Sequence, residues 1–391
     1  MPPRRPAPPV VVSQLAPAGF PATVRFLGID RDIFLARADE LERRLRAAAG
    51  AGPVNILALS GGGAGGAFGA GALVGLTRRG DRPHFHVVTG VSAGALIAPF
   101  AFLGPDWDAE LTDAFGSDRA AHLLRSRGLA LLFRPGVYRE KPLLELVNHF
   151  VTDRLVSAVA EQAARGGALL VATTDLDKQE PVIWDLGAIA MHGGAAARTL
   201  FRDVLVASAS IPGLFPPVLI RVEGAGGPYD EMHVDGGTTL PFFVAAEIAQ
   251  IIPREFEVLR GARVFVLVNG QLNSRPQTTR ESPIAVLSRS FSAGLLQSSR
   301  KQLELSAAFA QRHAMQLRFS YIPASYPFQG PFGFKPPAMR ELFTYAARCA
   351  AAGRLWLSLD QAVDQEARAA TTPRKESDAC PVTTEAASLE H

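Results

Sequence analysis

Ser92 stands at the centre of Gly90-Val91-Ser92-Ala93-Gly94, directly after the apolar run Phe85-His86-Val87-Val88-Thr89 and before the apolar stretch Ala95 to Leu103. A Gly-x-Ser-x-Gly turn between a strand and a helix is the setting of a nucleophile elbow: the turn exposes the hydroxyl, and small flanks at Gly90 and Gly94 keep clear of the adjoining elements. Upstream, Val54-Asn55-Ile56-Leu57-Ala58-Leu59 reads as a buried strand that runs into Ser60-Gly61-Gly62-Gly63-Ala64-Gly65-Gly66, and Ala67 to Leu76 continues with helix-compatible residues. Bare amides in such a loop, with the positive end of a helix behind them, suit negative charge. In ester cleavage that charge is the tetrahedral oxyanion. The expected donors are the N–H groups of Gly62 and Gly63, with Gly61, Ala64 and Ala93 as neighbouring candidates. The paired turns therefore predict acyl transfer at a serine.

The segment Gly61-x-Gly63-x-x-Gly66 also satisfies the dinucleotide pattern, but the next strand ends in Thr89-Gly90-Val91-Ser92 rather than in an acid for a ribose. No Lys-Ser/Thr pair follows the glycines to grip phosphate, so nucleotide binding is not expected. An α/β-hydrolase would place an acid and then a late histidine after Ser92. The histidines that follow are His122, His149, His192, His233, His313 and His391, and of these His233 lies in a recognisable turn. Beside it, Met232-His233-Val234-Asp235-Gly236-Gly237 reads as a short strand ending in an acid and two glycines, which lets the carboxylate approach another loop closely. Asp235 is the candidate base. Strand alternation puts His233 on the same side, where a packing or hydrogen-bonding neighbour is expected rather than a proton carrier. Asp175 ends a strand and is expected to bond backbone in a turn.

With these motifs the chain resembles the patatin-like phospholipases, lipid acyl hydrolases that use a Ser-Asp dyad. The resemblance rests on the glycine loop 61–66, the elbow 90–94 and Asp235-Gly236-Gly237, in the family's order. Ala207-Ser208-Ala209-Ser210-Ile211-Pro212-Gly213-Leu214-Phe215-Pro216-Pro217 and Ala172-Thr173-Thr174-Asp175-Leu176 also look similar to family segments, and the resemblance covers Val54 to Gly270. It implies that Asp235 takes the Ser92 proton directly, which requires a carboxyl raised from its solution value. Ser92 then attacks the ester carbonyl, and water activated by Asp235 releases the fatty acid from an acyl-enzyme. One departure stands out: the family often carries Arg or Lys where this chain has Gly65. Because the oxyanion donors are backbone amides, catalysis is expected to survive that exchange.

The elements needed to hold these turns are legible as alternating apolar strands and helices, which predicts a single three-layer α/β/α domain with a mostly parallel central sheet. The expected order is a helix at Arg37 to Ala49, the strands into the glycine loop and the elbow, and helices between Asp108 and Arg165. Strands at Ala168 to Thr174 and Val182 to Trp184 follow, then a helix before Pro212, the strand into Asp235, a helix at Phe242 to Ile251 and a last core strand at Arg263 to Asn269. Pro283 to Gln316 reads as a long covering helix or two, and the aromatic loop Tyr321 to Pro337 as either a lip for lipid entry or a tucked-in segment. The expected organisation is a mobile proline-rich arm at 1–35, a catalytic domain at 36–360 with core motifs at 54–270 and a helical cover at 281–360, and a disordered tail at 365–391. Leu389-Glu390-His391 resembles the start of an affinity tag and is set aside.

Composition narrows the function classes. With 391 residues, 48% hydrophobic, the chain can bury a large core, and 40 basic against 37 acidic residues leave no field that would favour nucleic acid. No apolar run reaches the ~20 residues that span a bilayer. Spacings of metal-ligand type are lacking, so no metal or cofactor is expected. Cys349 and Cys380 are not expected to pair. The compartment stays open between the bacterial cytoplasm and export behind a removed upstream signal. The expected partner is a phospholipid or other acyl-lipid substrate, with peripheral membrane contact open. The competing readings are a carboxylesterase or thioesterase on soluble acyl substrates and a non-enzymatic lipid-binding protein.

Overall fold

Five strands run parallel through the centre of the molecule in the order β5-β4-β3-β9-β10. They are β3 (Asn55–Leu59), β4 (Val87–Val91), β5 (Ala168–Asp175), β9 (Arg263–Val268) and β10 (Gln316–Tyr321). A parallel sheet is covered on both faces, which is why β4 and β5 are buried at every position. The structure is a computed structural model, and it describes residues 4–7, 15–27, 40, 42–117, 142–244, 257–273, 278–362 and 380–382.

The sheet separates two cores because successive side chains point to opposite faces. From β3, Leu57 and Leu59 enter the larger core, whereas Ile56 and Ala58 enter the smaller one. Helices α1 (Gly66–Arg79), α2 (Ala93–Leu103), α3 (Asp108–Gly116), α4 (Pro142–Phe150), α5 (Asp153–Ala164), α6 (Leu186–His192), α7 (Gly194–Ser208) and α9 (Pro336–Ala351) contribute to the larger core. Helix α8 (Pro283–Arg312) covers the opposite face through Leu303, Phe309 and Ala310. The expected α/β/α layering is thus present, and its parallel centre is flanked by antiparallel strands: β6 (Glu180–Asp185), β7 (Val218–Gly224) and β8 (Gly227–Asp235), with β1 (Ala16–Pro17) and β2 (Arg25–Leu27).

Several expectations need correction. The sheet does not end near Asn269: the long helix stops at Arg312, and Gln316–Tyr321 adds β10 beside β9. Its sequence, QLRFSY, hid the strand because charged and polar residues alternate with apolar ones at a half-covered edge. In the stretch expected to be a mobile arm, the described residues are packed: β1 pairs with β7, β2 pairs with β6, and Arg25 is buried against Glu231. Cys349 and Cys380 form a disulfide across 31 positions, and Cys380 and Val382 are buried, so this part of the expected tail is docked. Tertiary contact overrode composition in both termini. Residues 242–244 are not helical, and the rest of the helix expected there, like 118–141 and the tag-like end, lies outside the described residues. Among the described residues, no helix is long and apolar enough to cross a membrane.

Candidate active site

One edge of β5 brings the two candidate residues together. Its first half pairs with β4, up to Val91 opposite Ala172, and its second half pairs with β8, with Asp235 opposite Thr173. Because β6 occupies the other edge from Leu170 to Asp175, across the change of partner, β4 and β8 must meet end to end along the same edge. Ser92, just past the end of β4, therefore faces Asp235, the last residue of β8. The Ser92 hydroxyl donates to Asp235 Oδ2 at 2.5 Å, and the Gly237 amide donates to Oδ1 at 2.7 Å.

Ser92 sits at φ 53° and ψ −122°, a strained conformation outside a helix or strand, as an elbow requires. The elbow fits because its flanks lack side chains: a Cβ on Gly94 would lie 2.3 Å from the Leu59 carbonyl oxygen. Both candidates are almost wholly buried. Burial pushes the Asp235 carboxyl up to about 7, against the hydrogen bonds from Ser92 and Gly237, which pull it down. A carboxylate so placed can accept the serine proton near neutral pH.

The glycine loop passes beside Ser92, and its amides are not equivalent. Gly61 N–H donates to the Pro241 carbonyl and Ala64 N–H to the Pro331 carbonyl, both at 2.9 Å, so neither of these two expected donors is available. Among the described residues, no acceptor is recorded for the Gly62 and Gly63 amides. Asn269, at the end of β9, holds the loop in place: its amide donates to Ser60 Oγ, its Nδ2 to the Ser60 carbonyl, and its Oδ1 accepts from Gly69 N–H. It also fills the space around position 65, where a Cβ would meet its carbonyl oxygen at 2.0 Å. The glycine at position 65 is thus set by the packing of Asn269, which leaves no room for the arginine or lysine of the family pattern.

From Ser92 a cavity runs between α2, α3, α4 and α7. It is lined by Leu96, Phe100, Phe115, Val147, Leu205 and Ile211 among others, and Phe334 of the aromatic loop closes one side. None of the described lining residues is charged, and Ser92 supplies its hydroxyl. The aromatic loop is tucked in: Phe328 and Phe334 pack on the larger core.

Residues 57–246 match the family model described as Patatin-like phospholipase. This segment is a patatin-like phospholipase domain. Its family is one of ester-bond hydrolases and supports lipid acyl hydrolysis in general. A crystal structure of VipD from Legionella pneumophila is similar at 14% identity, covering 78% of this chain and 68% of that one with a TM-score of 0.35. No curated protein matches the sequence.

Within the patatin-like domain, His233 is a structural neighbour of Asp235. It is fully buried, with Nδ1 at 3.0 Å from Thr173 Oγ1 and Nε2 at 3.3 Å from Glu231 Oε2. Trp184 Nε1 donates to the same Thr173 oxygen, so the hydroxyl hydrogen is free for His233 Nδ1 and the Nε2 hydrogen for Glu231. Both ring nitrogens are thereby engaged. Asp175, Glu231 and His233 have their ligand-type atoms within 4.8 Å of one another, but Lys178 Nζ lies 2.7 Å from Asp175 and 2.6 Å from Glu231, where it supplies the positive charge a metal ion would bring. Burial would raise Glu231, yet its His233 hydrogen bond and Arg25 hold it well below the usual carboxylate range. Asp175 Oδ1 accepts from the amides of Asp177 and Lys178, the turn role expected of it.

Sequence reasoning missed Asn269 and the Arg25–Glu231 pair. Asn269 carried a signal, a polar residue ending an apolar strand just before a glycine, but its partner Ser60 is 209 positions away.

Proposed function

We propose that the chain is a serine lipid acyl hydrolase of phospholipase A or lysophospholipase type, working through a Ser92–Asp235 dyad. The observation that carries this reading is the 2.5 Å contact of Ser92 Oγ with a buried, raised Asp235 carboxyl, where Ser92 lines an apolar cavity. Asp235 accepts the Ser92 proton as Oγ forms a bond to the acyl carbon. The carbonyl electrons move onto oxygen, which the Gly62 and Gly63 amides and the positive end of α1 stabilise. Collapse expels the alcohol, which takes the proton from Asp235. Water then repeats the sequence on the acyl-enzyme and frees the fatty acid.

The cavity supports an alkyl chain as the acyl group, because burial of each methylene in such a lining is favourable by about 0.8 kcal/mol. A soluble acyl thioester or short ester would leave most of that lining unfilled. The test is a hydrolysis panel of phospholipids, lysophospholipids and p-nitrophenyl esters from acetate to palmitate. Rising kcat/KM with chain length and release of fatty acid from phospholipid are expected. A preference for acetate over every longer ester would favour the soluble carboxylesterase reading, and no turnover with no phosphonate labelling of Ser92 would end the hydrolytic one.

A further inference from the structure

The Ser92 amide lies beyond the last ladder pair of β4, which is Val91 with Ala172, so no strand accepts its hydrogen. A buried N–H needs a partner. It donates to Ser208 Oγ at 3.0 Å, and that hydroxyl donates onward to the Ala172 carbonyl oxygen at 2.7 Å. A hydroxyl has one hydrogen and two lone pairs, so committing the hydrogen to Ala172 fixes a lone pair on Ser92. Ser208 is fully buried at the last position of α7 and is not itself among the residues that line the cavity. Two residues on, the Ser210 carbonyl accepts the Asp235 amide at 2.9 Å. The segment of Ser208 to Ser210 thus grips the main chain at both candidate residues.

We propose that Ser208 is a positioning residue of the hydrolytic site, holding Ser92 in its strained elbow conformation through the Ser92 amide while Ser210 holds Asp235. This inference rests on the dyad reading above. The strain gives it physical content: a serine at φ 53° persists where its surroundings over-determine it, and among the described residues the Ser208 hydroxyl is the acceptor of the Ser92 amide. Without it the elbow relaxes, Ser92 Oγ drifts from Asp235 and from the loop amides, and the attack geometry is lost. Substrate binding is unaffected, since the cavity walls stay as they are.

The test compares Ser208→Ala, Ser208→Cys and Ser208→Thr in the full chain, using p-nitrophenyl palmitate and a fluorophosphonate, with active-site titration to count folded enzyme. Ser208→Ala is expected to lower kcat about 100-fold, the scale of an ångström of misplacement, with KM within about threefold and phosphonylation slowed in parallel. Ser208→Thr restores the acceptor and is expected to recover most of the loss. Should Ser208→Ala fail to fold, Ser208→Cys decides, because its thiol keeps the volume but accepts weakly: a kcat lower by roughly tenfold or more at unchanged KM supports the proposal. Wild-type kcat in folded Ser208→Ala or Ser208→Cys, or a fall in kcat matched by a rise in KM, overturns it. A wild-type chain that neither hydrolyses esters nor is phosphonylated would instead refute the dyad reading itself.

Discussion

Ser92 and Asp235, 143 positions apart, are joined by a 2.5 Å hydrogen bond because β4 and β8 end against each other on one edge of β5. The pair has no intermediary: the neighbouring imidazole of His233 is committed to Thr173 and Glu231. Asp235→Asn keeps the shape and removes the base, so kcat is expected to fall by at least ~100-fold with the fold intact. His233→Ala strands buried partners and is expected to lower stability by about 1–3 kcal/mol, with kcat per folded molecule within roughly tenfold of wild type. Steady-state kinetics with thermal denaturation separates the two effects. An equal loss of kcat in both folded variants would point to a histidine-mediated mechanism.

The raised Asp235 carboxyl sets the pH dependence. Only the ionised form accepts a proton, so kcat/KM is expected to climb with an acid limb centred near pH 7. Stability runs the other way. A carboxyl whose folded value of about 7 exceeds its ordinary 3.8 contributes stability fully below the lower value and loses it as pH rises through the upper one. Asp235→Asn removes this dependence, so its stability advantage should grow by up to about 1.4 kcal/mol per pH unit across that window. Urea denaturation at several pH values checks the slope, and a constant difference would show that the carboxyl is not raised.

At positions 62, 63 and 65 the glycine loop leaves no room for a side chain. A Cβ on Gly62 would lie 1.9 Å from the Asn269 carbonyl oxygen, and one on Gly63 2.1 Å from that of Pro331. Gly62→Val and Gly63→Val are expected to collapse turnover by the ~2.7–4 kcal/mol of a lost oxyanion donor or more. Gly65→Arg is expected to lose activity as well, since its Cβ meets Asn269 at 2.0 Å. Measured kcat/KM with circular dichroism tests all three, and near-normal activity in folded Gly62→Val and Gly63→Val would move the oxyanion hole elsewhere.

Ala114 of α3 lines the cavity without filling it. Ala114→Phe should therefore shorten the space for an alkyl chain, lowering kcat/KM for palmitate esters at least ~10-fold while leaving butyrate esters within about twofold, a shift worth two or more methylenes. Equal effects on both chain lengths would mean that the chain lies elsewhere.

The Cys349–Cys380 bond ties the end of α9 to the docked segment at 380–382. Cys380→Ser is expected to destabilise the chain by about 2–4 kcal/mol, the range for closing a loop of this size. Denaturation with and without reductant measures it. An unchanged midpoint would show that the docked segment does not contribute.

The sequence by itself determined the turns. Glycines at 61–63, 90, 94, 236 and 237, next to apolar strands, mark places where backbone must pass close to backbone, and that local chemistry picks out the candidate elbow, loop and acid. It also determined the layered α/β/α plan, since apolar strands alternating with helices have few other ways to bury themselves. Only the tertiary structure decided which loop amides are free, because Gly61 and Ala64 are bonded to Pro241 and Pro331, far off in sequence. The same holds for Asn269 under the loop, for Ser208 behind Ser92, and for the termini, where β1, β2 and the disulfide dock segments whose composition reads as mobile. These features depend on partners roughly 30 to 270 positions away, and no local pattern records which carbonyl or hydroxyl will reach a given amide once the sheet is assembled.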